Sequence, residues 1–182
     1  MIVSGAAGSV GQAAIQIAHA KGARVVALIK DAGQDWVSKS AGVDAVARSD
    51  KQDLEAVVHQ ETNAKGADLA LNGVGNTIFQ FLVNSLSVGG RQVIYSAAGG
   101  RVFPLDLLSF YHQQLSLFGL DTQKLDVTRC AAILNELAPL FESGTLKPPA
   151  IEERYPLSKA PEAYNKVAEG KTGKVVLLMA AG

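Results

Sequence analysis

Three glycines close to the amino terminus, in the run Ile2-Val-Ser-Gly-Ala-Ala-Gly-Ser-Val-Gly11, have the spacing to hold an anion. The pattern Ala6-x-Gly8-x-x-Gly11 is G-x-G-x-x-G with alanine in the first place. The apolar pair Ile2 and Val3 precedes it, and Val10, Ala14, Ile17 and Ala18 follow at helical spacing, so the stretch reads as strand, turn and helix. At a helix amino terminus the unpaired N–H groups and the dipole favour negative charge. Backbone around Gly8, Ser9 and Val10 is therefore expected to face a pyrophosphate, with Gly11 letting the helix lie close on the strand. About 20 residues past such glycines, an Asp or Glu usually binds the ribose 2′-hydroxyl. Here that place is Ile29, with Lys30 next to it and Arg48 after the third expected strand. Two cations at that end predict a 2′-phosphate, and so NADP(H) as cofactor.

Composition narrows the alternatives. Of 182 residues 48% are hydrophobic, and 17 basic side chains balance 17 acidic ones. This is the profile of a soluble domain, with room for an appendage. Without a net charge or a basic run, nucleic-acid binding through phosphate neutralisation is not expected. No apolar stretch is long enough to span a bilayer, and no charged segment leads into an apolar one at the start, so the expected location is cytoplasmic, with no membrane partner. One cysteine, Cys130, and three scattered histidines, His19, His59 and His112, give neither a disulfide nor a metal-ligand spacing, so no metal is expected.

The elements that must position the turn follow from the apolar pattern. Strands are expected at Arg24 to Ile29, Asp44 to Ala47, Ala67 to Leu71, Gln92 to Tyr95 and Leu115 to Leu120. Between them come a polar helix near Asp35 to Ser40 ending at Gly42, a helix beginning at Asp50, and a helix over Asn76 to Leu86, after which Gly89-Gly90 turns the chain. Continuous apolar strands separated by helices predict an α/β, doubly wound parallel six-stranded Rossmann sheet of order 3-2-1-4-5-6. A long helix from Val127 to Glu142 should turn Ile133, Leu134, Leu137, Leu140 and Phe141 inward, with a kink at Pro139. An extended Ile151 to Tyr155, a short helix after Pro161 and a strand Lys174 to Met179 close the chain.

Together GAAGSVG after a strand, GADLALNGVG, GGRQVIYSAAG, LFGL, YPLSKAPEAY and GKVVL resemble the cofactor-binding half of the medium-chain dehydrogenases/reductases. The likeness spans essentially the whole chain and is strongest to the zinc-independent quinone oxidoreductases, zeta-crystallin-like, and to polyketide synthase enoyl reductases. It implies hydride transfer from NADPH to a quinone, enone or enoyl thioester, a small-molecule substrate. It also implies a preceding GroES-like catalytic domain, so the chain reads as a fragment. Residues 1–146 would be the NADP(H)-binding domain, and residues 147–182 the segment that returns to complete the catalytic domain. Such a fragment alone is expected to bind cofactor without turnover.

By the same resemblance, Asn72, Gly73 and Val74 after the fourth strand and Tyr95, Ser96 and Ala97 after the fifth contact the nicotinamide ribose and ring. Phe118, Gly119 and Leu120 hold the carboxamide through backbone groups. The sequence departs from the family at Asn72, often aspartate there, at Gln34, often lysine, and at Arg48, where a tyrosine often contacts the phosphate. Tyr111 and His112 lie where they could approach a substrate. A rival reading takes Tyr155-Pro-Leu-Ser-Lys159 as the Y-x-x-x-K pair of short-chain dehydrogenases, which the N-terminal SGAAGSVG also resembles. That pair must share one helix, and Pro156 makes Tyr155 a poor helical residue. The sixth strand, apolar at Leu115, Leu117, Phe118 and Leu120, would be an edge without lysine or proline to guard it, which predicts a homodimer through Leu115 to Leu120.

Overall fold

Ile2 and Val3 are wholly buried, and the strand they form with Ser4, β1 (Ile2–Ser4), lies inside a parallel sheet. A computed structural model describes residues 1–50, 54–169 and 173–179. By proximity the chain divides into two units, Met1–Leu146 and Lys147–Gly182.

In the first unit β1 is followed by α1 (Ser9–Ala20), β2 (Val26–Ile29), a 3-10 helix over Ala32–Lys39, and β3 (Ala45–Arg48). Then come α2 (Leu54–Glu61), β4 (Ala67–Asn72), α3 (Phe79–Asn84), β5 (Leu86–Ile94), α4 (Leu107–His112), β6 (Ser116–Gly119) and α5 (Val127–Glu142). The sheet order is β3-β2-β1-β4-β5-β6, every pairing parallel. This is the doubly wound α/β sheet expected from the alternation of elements. Successive strand residues face opposite sides. Ile2, Val26, Leu28 and Ala70 thus pack with Val58 of α2 and Leu82 and Val83 of α3. Val3, Ala27 and Ile29 pack with Ile15 and Ala18 of α1 and with Val37.

Three expectations need correction. The polar segment after β2 is a 3-10 helix, begun by Asp31, whose carboxylate accepts from the Gly33 N–H at 2.9 Å. Its sequence, AGQDWVSK, buries only Val37, too little apolar surface to fix an α-helix. Leu86 does not end a helix: β5 begins there and runs through Gly89-Gly90, its register to β4 jumping between the Ala67–Leu86 and Leu69–Arg91 pairs. α1 forms where the spacing predicts a helix, burying Gly11, Ile15 and Ala18 and leaving Val10 exposed. Finally α5 has the expected bounds, but Ile133, Leu134 and Phe141 are exposed and Leu137 and Leu140 only half-buried. Helical spacing identifies an apolar stripe; it does not say what covers it. The helix expected from Asp50 is seen from Leu54; residues 51–53 lie outside those described.

In the second unit β7 (Ile151–Pro156) pairs in parallel with β8 (Lys174–Leu178), and α6 (Ala160–Ala168) joins them. Glu153 accepts from the Tyr155 hydroxyl and pairs with Lys166 at 3.3 Å. That carboxylate raises the Tyr155 phenol above its ordinary pKa.

Candidate functional site

In a parallel sheet every strand ends at the same edge, and ligands of open α/β sheets bind in the crevice outside that edge where the strand order reverses. Here the reversal lies between β1, which pairs with β2 on one side, and β4 on the other. The turn after β1 is tight. Gly8 N–H donates to Gly5 O at 2.9 Å, Gln12 Nε2 donates to Ala6 O at 2.7 Å, and Gly8 caps α1 with no side chain in the cap. A Cβ built on Gly11 would lie 2.3 Å from Gly5 O and 2.8 Å from Ala6 Cα, so only glycine permits this approach of helix to turn. Gly8, Ser9 and Val10 are exposed at the amino end of α1, where the dipole is positive.

The turn after β4 faces it. A Cβ on Gly5 would sit 3.9 Å from Val74 Cγ2. Asn72 is fully buried: its Oδ1 accepts from the Val74 and Gly75 N–H groups at 3.1 and 2.8 Å, and its Nδ2 donates to Gly75 O at 3.3 Å. Its side chain therefore shapes the turn after β4. Ser4, which the sequence reading passed over, bridges the two turns. Its hydroxyl donates to Leu71 O at 3.0 Å and accepts from Gly73 N–H at 2.9 Å. A polar residue ending an otherwise apolar strand was the signal for it.

Tyr95, just past β5, folds back over Gly73. A Cβ on Gly73 would overlap the phenol oxygen at 2.0 Å, and desolvation raises the Tyr95 pKa above its usual value. Tyr95 N–H donates to Asn72 O at 3.1 Å, Gly99 N–H to Val74 O at 2.7 Å, and Ser96 Oγ accepts from Ala98 N–H at 3.3 Å. The turns after β1, β4 and β5 thus meet at the carboxyl edge of the sheet, Gly5 beside Val74, Gly73 under Tyr95 and Gly75 against Ala97, which gathers Gly8 to Gly11, Asn72 to Val74 and Tyr95 to Ala97 at that edge. Phe118, Gly119 and Leu120 end β6, the far strand, with Leu120 N–H donating to Ile94 O at 2.8 Å; Phe118 is half exposed and not core. Tyr111 and His112 stack edge to face at 4.7 Å on α4 and are exposed.

Lys30 directly follows β2 and Arg48 ends β3, pairing in register with Ile29. The Lys30 N–H donates to Gln34 Oε1 at 2.9 Å, and the Ser49 hydroxyl donates to Lys30 O at 3.1 Å. Arg48 is already engaged: Nε and Nη2 reach both Asp50 carboxylate oxygens at 3.1 and 2.9 Å, and Nη1 lies 3.5 Å from Asp35 Oδ2. The Asp50 hydrogen bond raises the guanidinium's pKa, and the fields of Asp35 and Asp31 add to it.

The rival pair is not assembled. Tyr155 lies on β7, Lys159 ends a 3-10 turn, and their partners are Glu153 and Glu162. Among the described residues no group of three His, Cys, Asp or Glu side chains is placed to hold a metal ion, and no helix is long and apolar enough to cross a membrane.

Residues 9–138 match the family model described as zinc-binding dehydrogenase. The highly reducing polyketide synthase PKS6 of Gibberella zeae is 30% identical over 97% of this chain, which spans 7% of that protein. Human quinone oxidoreductase is 27% identical over 98% of the chain, which spans 54% of it. The solved structure of mycobacterial Rv1454c complexed with NADPH superposes with a TM-score of 0.80 at 28% identity, over 97% of this chain and 56% of that one.

Proposed function

As this chain belongs to the zinc-binding dehydrogenase family, we propose that it is the NADP(H)-binding part of an oxidoreductase that reduces a quinone, enone or enoyl thioester. The zinc in the family's description has no donor set among the described residues. The observation that carries the proposal is the approach of Gly11 to the Gly5 carbonyl, which lays the amino end of α1 along the crevice between β1 and β4. A pyrophosphate there would lie along Gly8 and meet the backbone near Ser9 and Val10 and the helix dipole. The bound dinucleotide supplies a hydride from its dihydronicotinamide. Asn72 and Ser4 hold the backbone of Gly73 and Val74 for the nicotinamide ribose, Tyr95 to Ala97 flank it, and Phe118 to Leu120 offer backbone groups to the carboxamide. Lys30 and Arg48 take the 2′-phosphate. The NADPH complex of Rv1454c, built on the same sheet, supports this choice of cofactor. Calorimetric titration should show NADPH binding more tightly than NADH; equal affinities would remove the roles given to Lys30 and Arg48.

The second unit, residues 147–182, completes a catalytic domain supplied outside this sheet, and the 182 residues alone bind without turnover. Quinone reduction by this chain above the background of free NADPH would refute that. We also propose a homodimer through β6, one of the two end strands of the sheet, where Phe118 and the following Leu120 are exposed. Sedimentation equilibrium at tens of micromolar is expected to give a mass near twice 19.0 kDa, reduced by Leu117→Lys. A monomer indifferent to that substitution would exclude edge pairing.

A further inference from the structure

Arg48 is the cation best placed for a 2′-phosphate, yet it lies among carboxylates. Asp50 covers its Nε and Nη2 edge with both oxygens, at 3.1 and 2.9 Å, the edge through which a guanidinium grips a phosphate in parallel hydrogen bonds. Asp35 stands 3.5 Å from the remaining Nη1. Asp31 is pinned at the start of the 3-10 helix by its bond to the Gly33 N–H and faces the same guanidinium. Among the described residues three carboxylates therefore act on the one Arg48 guanidinium. A dianionic phosphate entering this corner must displace Asp50 from Arg48 and meet the carboxylates' repulsion, whereas a 2′-hydroxyl meets no such cost and can donate to one of them.

We infer that Asp50, with Asp35 in support, is a specificity-determining residue that competes with the 2′-phosphate for Arg48 and holds down the preference for NADP(H) over NAD(H). This rests on the cofactor reading above. The fold supplies the rigidity the competition needs. Arg48 and Ile29 are locked in register, Ser49 ties the end of β3 to Ile29 through its N–H and to Lys30 through its hydroxyl, and Asp35 rides on the 3-10 helix that buries Val37.

The test uses two adenosine probes that differ only at the 2′ position, adenosine 5′-monophosphate and the bisphosphate carrying an added 2′-phosphate. Each is titrated calorimetrically into the wild type and into Asp50→Asn, Asp35→Asn, Arg48→Ala and the Arg48→Ala/Asp50→Asn pair. Asp50→Asn is expected to raise the preference for the bisphosphate about fivefold, the upper range for a solvent-screened charge pair. Asp35→Asn should raise it less. With Arg48 removed, Asp50→Asn should change the ratio much less, because its main route of action is gone. An unchanged ratio in both aspartate variants, with both probes still binding, overturns the inference and leaves the cofactor reading standing. A fall in bisphosphate preference in Asp50→Asn also overturns it, since Asp50 would then be aiming Arg48 at the phosphate. Failure of both probes and of NADPH to bind the wild type removes the cofactor reading and this inference with it.

Discussion

Gly11→Ala is expected to destabilise the first unit by about 2 kcal/mol and to abolish measurable NADPH binding in calorimetry. Two effects oppose each other. Alanine gains roughly 1 kcal/mol over glycine inside a helix. The added Cβ, however, would lie 2.3 Å from Gly5 O, 2.8 Å from Ala6 Cα and 3.0 Å from Gly5 C, and all three neighbours are backbone. No side-chain rotation relieves such a contact. Either α1 lifts off the turn or the turn deforms, and forced overpacking of this kind costs about 3 kcal/mol. Both movements change the place where the first N–H groups of α1 point. Gly119→Ala is the control for stability: nothing lies within 4 Å of the added carbon, and the change should stay within about 0.5 kcal/mol. Urea denaturation of the two variants decides the matter, and wild-type stability in Gly11→Ala would show that the helix does not press on the turn.

Gln92→Leu should have the opposite sign. Gln92 is fully buried on β5, in register with Ala70 on β4 and Leu117 on β6, and among the described residues neither amide atom finds a hydrogen-bond partner. A primary amide left unpaired in an apolar layer costs about 1–3 kcal/mol. Leucine is of similar size and carries no polar atom, so the substitution is expected to raise the melting temperature by roughly 4 °C. A lower melting temperature would mean that the amide is satisfied in solution and contributes to the fold.

Gln92 also illustrates where the sequence stopped being informative. Its neighbours Val93 and Ile94 announce a strand whatever the residue before them, so the strand was legible and the orphaned amide was not. The order of six strands could be read because each is a short apolar run separated by a helix-length polar stretch, and parallel pairing with right-handed crossovers leaves few arrangements. Leu86 misled because one leucine suits the end of a helical stripe as well as the start of a strand, and only pairing with Ala67 decides. The stripe on α5 misled because its periodicity carries no information about a covering surface. At the crevice the glycines of the first turn were legible from spacing. The partners of Arg48 were not: Asp50 is two residues away and Asp35 lies on another element, and both contacts depend on how β3 and the 3-10 helix end beside each other.

The meeting of β1 with β4 carries a consequence for the kinetics of folding. Only this pairing joins the β3-β2-β1 half of the sheet to the β4-β5-β6 half, and its register covers Ile2 with Ala70 and Val3 with Leu71, fastened by the Ser4 hydroxyl. β1 comes first in the chain and its second partner comes after three helical crossovers and two intervening strands. Closing so long a loop costs entropy that is recovered only when both halves are in place, and contacts of such sequence separation slow folding. Substitutions that weaken this seam are therefore expected to slow refolding of the first unit more than equal losses at the shorter-range β2–β3 pairing, which stopped-flow refolding would check.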